Sequence, residues 1–366
     1  MRLINELRER LNGYLGYDKR RIDCFVNMML ALVMAQTVNL KRLAEFMFSD
    51  AKVDSRYRRL QRFFSGFRFD FNALAKLIFH LFKFHVGSHY LILDRTNWKL
   101  GKKDINVLFL CIAYKKVAIP IFWLMLNKKG NSSTWERAAL IERFISVFGK
   151  ANIAGLLGDR EFIGEKWFGY LKRQEIPFYF RVKKDADTTN VNGKSIAIGW
   201  LFHGLRKHEP VLIKTARKVY GHKLYIVGMR IDGDYLIVVS NKKPETDDEA
   251  MKIYAIRWEI ETLFGCLKTK GFNFEDTCIT ERARIKKLIA LLALTFCWAH
   301  LVGEWRHQFE KVIPLKKHGR PQHNCFRYGL NWLVDKLYRR GQQLRVICRL
   351  FLQIFEPPNI ICPVTG

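Results

Sequence analysis

No two of the eight cysteines in this chain are spaced as C-x-x-C, and several sit inside apolar runs. Neither a zinc site nor a disulfide framework is expected, and the thiols read as reduced and buried, as in a cytosolic protein. Acidic residues are scarce, with 34 Asp and Glu against 63 Lys and Arg and a formal charge of +29. That imbalance far exceeds what solubility needs, and its natural partner is an extended polyanion. The charge is spread along the whole chain, which favours nucleic acid over a membrane surface. Long apolar runs are missing too. The longest, IALLALTFCWAHL at residues 289–301, is shorter than the roughly 20 residues that span a bilayer, and it reads as a buried helix. The first 21 residues are charged throughout, so no signal peptide is expected. There is no Walker-type glycine loop, internal repeat, low-complexity tract or long heptad run.

What is present is a globular composition, 49% hydrophobic over 366 residues, enough for a full core and two or three domains. Charge alone names no activity, because a structural RNA-binding protein would share it.

The most informative stretch is residues 246–271, TDDEAMKIYAIRWEIETLFGCLKTKG. Thr246 followed by Glu249 predicts a capping box, acidic residues crowd the first turn, and Gly271 after Lys268 and Lys270 is a stop signal. At about 100° per residue from Tyr254, the side chains of Arg257, Glu261 and Lys268 fall at roughly −60°, −20° and −40°. Ile253, Ile256, Ile260, Leu263 and Leu267 fall between roughly 180° and 260°, so the polar stripe borders the core. Glu259, at roughly 140°, is expected in solvent, which makes Glu261 the candidate for chemistry. An amphipathic helix with ordinary surface ion pairs has similar ingredients. What sets this one apart is the spacing: Tyr254-x2-Arg257-x3-Glu261-x6-Lys268 resembles the Tyr-Arg-Glu-Lys signature of the bacterial DDE transposases of insertion-sequence family four. The resemblance implies that Glu261 is the last of three metal-binding carboxylates and that Tyr254, Arg257 and Lys268 handle DNA phosphates.

Upstream, residues 1–85 read as all-helical. A helix, a break at 49–52 and the helix DSRYRRLQRFF are compatible with a helix-turn-helix capped by Asp54 or Ser55. Arg56, Arg58, Arg59 and Arg62 crowd the first turns of that second helix, where a recognition helix meets DNA; a solvated basic face is the plainer reading. Strands follow at 90–93, 107–114 and 117–126, then a helix capped by Ser132 or Ser133, a strand at 153–157, a helix from about 164 to 173, and a strand at 178–182. That order is the order of the RNase H-like fold, α/β with a mixed five-stranded sheet and flanking helices. In that fold the first and fourth strands are neighbours, so Asp94 and Asp159, each at a strand end, would meet. Taken singly, an Asp after a strand is commonly a turn residue or helix cap. The words around them, LDRTNWKLGKKDINVL and GDREFIG, resemble the first and second acidic motifs of the same family, with Arg160 a further phosphate contact.

More chain separates Asp159 from Glu261 than one helix and one strand require. The surplus, about 183–243, reads as a β-rich insertion with a hairpin turn at Asp232-Gly233. By resemblance it shields the site and helps hold a flipped base. Trp200 is the only tryptophan in it and so the candidate for stacking, although a tryptophan there is more commonly a core residue. Beyond it the chain is helical again, with a buried helix at 281–305, a basic loop, a helix at 325–340 and a last helix at 342–355. The expected division is a helical DNA-binding domain at 1–85, a catalytic domain at 86–310 and a helical C-terminal region at 311–366.

Three carboxylates converging in a basic protein suit two divalent cations, Mg²⁺ or Mn²⁺. The resemblance covers most of the chain, strongest from about residue 91 to 277. It implies DNA cleavage and strand transfer at terminal inverted repeats, target DNA as second substrate, a homodimer in the synaptic complex, no membrane, and a cytoplasmic, nucleoid-associated bacterial location. Two rivals stay open: a non-catalytic DNA-binding relative and a structure-selective nuclease on the same fold.

Overall fold

The computed structural model describes residues 2–100 and 103–338, and the last expected helix, at 342–355, lies outside them. The chain divides into two compact units, Phe84–Leu263 and a helical unit made of Met1–Lys83 with the chain from Phe264 onward. This differs from the division expected from sequence: the residues from 264 to 310 fold with the N-terminal helices and not with the sheet.

In Phe84–Leu263 the strands β1 (His89–Leu100), β2 (Lys103–Tyr114) and β3 (Val117–Met125) form an antiparallel meander. Helix α6 (Thr134–Phe148) leads to β4 (Ile153–Gly158), and α7 (Glu165–Arg173) leads to β5 (Phe178–Val182). Both β1–β4 and β4–β5 are parallel pairs. The order β3-β2-β1-β4-β5 is that of the RNase H-like fold, here continued by the insertion. After the short ribbon β6 (Asp187–Thr189) and β7 (Ser195–Ala197), the strands β8 (Pro210–Val219), β9 (His222–Ile231) and β10 (Asp234–Ser240) extend the same sheet to eight strands. Five strands were expected. β10 pairs antiparallel with β5, whose edge would otherwise present unpaired backbone groups. Ser133 caps α6 in a full capping box with Glu136. Phe168 of α7 stacks on Phe178 and Phe180 at 4.9 and 5.8 Å, so α7 covers one face of the sheet.

The signature stretch is not one helix. It is α8 (Glu249–Ala255), a 3₁₀ turn at Ile256–Trp258, and α9 (Glu259–Leu267). The expected capping box is absent: Asp248 is the N-cap without a side-chain cap bond, and the Glu249 carboxylate accepts instead from the Glu245 N–H.

In the helical unit, α1 (Arg2–Leu15), α2 (Lys19–Ala35), α3 (Leu40–Phe46), α4 (Val53–Gly66) and α5 (Phe71–Leu81) gather with α10 (Arg282–Phe309) and α11 (Cys325–Tyr338). α10 has 28 residues, and it is long and apolar enough to cross a bilayer by length and composition. In this fold 83% of its most apolar window is buried, and each buried Leu or Ile stabilises by about 1.5–3 kcal/mol. It is the core of the unit. α10 and α11 meet at two glycines: a Cβ at Gly303 would lie 1.8 Å from the Cys325 carbonyl oxygen, and one at Gly329 1.9 Å from that of Ala299. Six cysteines among the described residues form no disulfide, and Cys24, Cys111, Cys266 and Cys297 are buried.

Candidate active site

Strand register brings the two aspartates together. Leu93 pairs with Gly158 across the parallel β1–β4 ladder, so Asp94 and Asp159 are the next residues on adjacent chains, about 5 Å apart in the backbone. Glycine at 158 leaves room for the Phe180 ring, which a Cβ there would meet at 2.3 Å and have to displace. β1 does not end at Asp94 as expected. It continues to Leu100 because β2 pairs with it throughout, Asp94 opposite Phe109.

The Tyr-Arg-Glu residues reach across to these two aspartates. The Tyr254 hydroxyl donates to Asp159 Oδ1 at 3.3 Å. Arg257 Nη1 donates to Asp94 Oδ2 at 3.0 Å and Nη2 to Glu261 Oε1 at 3.1 Å. Tyr254 and Arg257 are only 1% and 4% exposed, whereas Glu261 opens to solvent. The side chains of Asp94, Asp159, Tyr254, Arg257 and Glu261 thus form one connected cluster, with the guanidinium bridging the two carboxylates of Asp94 and Glu261.

Burial pushes the Asp94 carboxyl up to about 6, against the downward pull of the Arg95 N–H and the Arg257 guanidinium. Burial and then the Asp159 charge raise Tyr254, so its phenol stays a neutral donor. Among the described residues no three potential ligands stand close enough to grip a metal ion as they are. The donor set still fits a hard divalent cation: the Asp94 and Glu261 carboxylates flank a positive charge, the Arg257 guanidinium, and Asp159 follows the strand beside Asp94.

The sequence reading missed a second layer behind the aspartates. Strand alternation sends Arg95 to the opposite face from Asp94. There its Nε and Nη2 hold Glu161 at 3.2 and 2.9 Å, and Nη1 donates to Asn106 at 3.2 Å. Asn106, 2% exposed, donates to the Lys128 and Gly130 carbonyls, both at 3.0 Å. The buried Arg137 holds the Glu161 carbonyl at 3.0 Å. The Asp159-Arg160-Glu161 turn is therefore braced from behind. The available signal was the Asp-Arg and Asp-x-Glu pairing of the two motifs.

Glu259 was also missed. It is not in solvent: its carboxylate accepts from the Tyr114 and Lys116 N–H groups, both at 2.8 Å, and ties α9 to the β2–β3 turn. The 3₁₀ turn explains this. Three residues stepping at about 120° add roughly 60° to the helical wheel, moving Glu259 from its expected position to the core side. Trp258, 52% exposed, lies against the Arg257 guanidinium at 4.8 Å and escaped notice among the apolar residues.

A model of the transposase DDE domain matches residues 88–298, more than half of the chain. The chain belongs to the DDE transposase family. No curated protein matches it at the level of sequence. Among solved structures, a cryo-EM structure of the piggyBac transposase synaptic complex with hairpin DNA aligns over 99% of this chain and 84% of that one, at 12% identity and a TM-score of 0.45. That likeness is too distant to assign a role to any residue.

The other candidate residues of this DDE transposase lie as follows. Arg160 is exposed beside Asp159, to whose carboxylate its N–H donates at 2.7 Å. Lys268 belongs to the helical unit and pairs with Glu275 at 2.7 Å. Trp200 is 67% exposed in a 3₁₀ turn, stacked on His203, and is not the core tryptophan that composition favours. In α4, which starts at Val53 without a side-chain cap, Arg56 donates to the Glu45 and Met47 carbonyls at 3.2 and 2.9 Å and so braces the α3–α4 turn. Arg59 pairs with Asp23 at 2.8 Å, while Arg58 and Arg62 are exposed.

Proposed function

We propose that this chain is a transposase of the bacterial insertion-sequence-four type, which cuts at terminal inverted repeats and joins the freed 3′ ends to target DNA. The observation that carries the reading is the Tyr254–Asp159, Arg257–Asp94 and Arg257–Glu261 cluster, which links the two aspartates with the helical signature. Asp94, Asp159 and Glu261 would hold two Mg²⁺, or Mn²⁺, ions. Bound there, the ions supply Lewis acidity at the scissile phosphate and acidify the attacking hydroxyl. A water, and then a DNA 3′-hydroxyl, forms the new P–O bond as the bridging P–O bond breaks, and no covalent enzyme intermediate is needed.

The rest falls to the protein. Arg160 and the Tyr254 hydroxyl hold phosphate oxygens, with Arg257 turning from carboxylates to phosphate as DNA arrives; Lys268, in the helical unit, contacts DNA phosphate on its own. The Arg95–Glu161 brace keeps Asp159 beside Asp94. Trp200, His203 and Tyr235 line an open cleft of about 290 Å³ in the insertion, which suits stacking on a base taken out of the duplex. The N-terminal helices, through Arg58 and Arg62, bind the repeat, and two copies pair two ends.

The test is Mg²⁺-dependent cleavage of a labelled duplex carrying the DNA that flanks the gene, native protein against Glu261→Gln. Cleavage at a defined end, lost in the variant while DNA binding persists, supports the reading. Binding without cleavage in both proteins overturns it in favour of a non-catalytic relative, and cleavage that survives in the variant means another carboxylate does the chemistry.

A further inference from the structure

A groove of about 480 Å³ runs between α2 and the flank of α4 in the helical unit, lined by Arg20, Arg21, Arg59 and Arg62 over the rings of Phe63 and Phe67. No aspartate or glutamate is among its lining residues. Its arginines are not equivalent. Arg59 is anchored from behind, donating to the Arg20 carbonyl at 3.1 Å and to Asp23 at 2.8 Å, and Asp23 is shared with Arg8. Arg21 is half spent, paired with Asp18 at 3.0 Å and lying over the Phe67 ring at 5.3 Å. Arg20 and Arg62 are exposed, and neither guanidinium has a carboxylate partner among the described residues. The rings below are 6% and 4% exposed, so the floor is mostly buried and apolar. Cys24 beside them is inert, its thiol pushed up to about 11 by burial.

We infer that this groove is a seat for the DNA backbone, taking a phosphodiester and its sugar, with Arg20 and Arg62 on the phosphate and the phenylalanine rings against the sugar. Two exposed guanidinium groups lining one groove without a carboxylate partner, Arg62 held only through Nε to the Arg58 carbonyl at 3.4 Å, can offer the planar, bidentate fork that suits phosphate. The inference rests on the DNA-processing reading above and relocates its contact. Arg56, at the start of α4, is consumed in bracing the α3–α4 turn, so DNA meets the side of α4 together with the start of α2, and the first turns of α4 do not lead into a groove. A backbone seat carries no sequence information; it sets register for contacts made elsewhere.

The experiment measures binding of the full-length protein to a fluorescent duplex, in chelator and across a salt series, so that catalysis plays no part. Removing one bound phosphate makes the slope of log K against log salt shallower by about 0.9. The double variant Arg20→Ala/Arg62→Ala, which empties the seat of its one phosphate, is expected to lose close to one such step, and to weaken binding by the same factor on any sequence. Arg282→Ala/Lys311→Ala removes equal charge from the same unit and is expected to leave the slope unchanged. Arg20→Lys/Arg62→Lys keeps the slope and loses several-fold in affinity, because lysine offers no fork. Circular dichroism checks that each variant is folded. An unchanged slope in a folded, DNA-binding double variant overturns the groove alone, as does millimolar inorganic phosphate that abolishes duplex binding in the native protein but not in the double variant, which marks a small-anion pocket. No duplex binding by the native protein at low salt overturns both the groove and the reading beneath it.

Discussion

In the sheet-bearing unit, Arg137 and Arg257 are about 95% buried, Arg95 is nearly so, and each is tied to a carboxylate or a carbonyl. In the helical unit Arg20, Arg58 and Arg62 stand in solvent. One residue type therefore does two jobs. Where acidic groups must be held close together, the guanidinium is sunk among them and its charge is cancelled locally. Where the task is to meet a polyanion, the charge is left outside, at little cost to folding. The net charge of +29 is the residue of the second use, and counting charges along the chain conceals the first.

Substitutions can break this contrast. Arg257→Ala has the largest expected effect. It strands the buried Asp94 carboxylate and should cost about 3–5 kcal/mol in urea unfolding at pH 8, besides abolishing cleavage. Adding Asp94→Asn to that variant should return most of the stability but none of the activity, which a double-mutant cycle checks. Acid titration of the metal-free protein comes next. The Asp94 carboxyl is raised in the folded state to about 6 from an ordinary value near 3.8, so its favourable contribution is complete below pH 4 and is lost as pH rises through 6. Unfolding free energy should fall by on the order of 2–3 kcal/mol across that window, and Asp94→Asn should flatten that limb of the curve. Glu259→Ala removes the acceptor of two backbone N–H groups, and a loss of about 1–2 kcal/mol in thermal or urea melts is expected. Arg58→Ala is the smallest: stability should stay within about 0.5 kcal/mol, and a shift larger than that would show that Arg58, like Arg56 and Arg59, is used internally.

The parts of this fold that could be read in sequence are those with sharp local punctuation. β5 lies where a short apolar run is bounded by polar residues, and α6 starts at its serine cap. β1 outran its expectation because Arg95, Asn97 and Lys99 look like a turn until β2 is known to lie opposite them. Asp94, Asp159 and Glu261 could be picked out by resemblance, but the links of Arg257 to Asp94 and Glu261 and of Tyr254 to Asp159 could not, since they depend on a register between elements far apart in the chain. A uniform helical wheel erred at Glu259 for a local reason, the change of pitch at residues 256–258, which no apolar pattern announces. The partition failed at a larger scale. Nothing in the run at 289–301 says which unit it will serve as core, and only packing against α2, α5 and α11 decides it.

The meeting of α10 and α11 at Gly303 and Gly329 has a consequence for genetics. Backbone lies on backbone there, so no other side chain is admitted at either position, and even alanine must push two helices apart. Loss-of-function alleles gathered blindly, especially those that fail only on warming, will fall at these two codons as readily as at the acidic ones. Such alleles will bear on the folding of the helical unit and carry no message about chemistry.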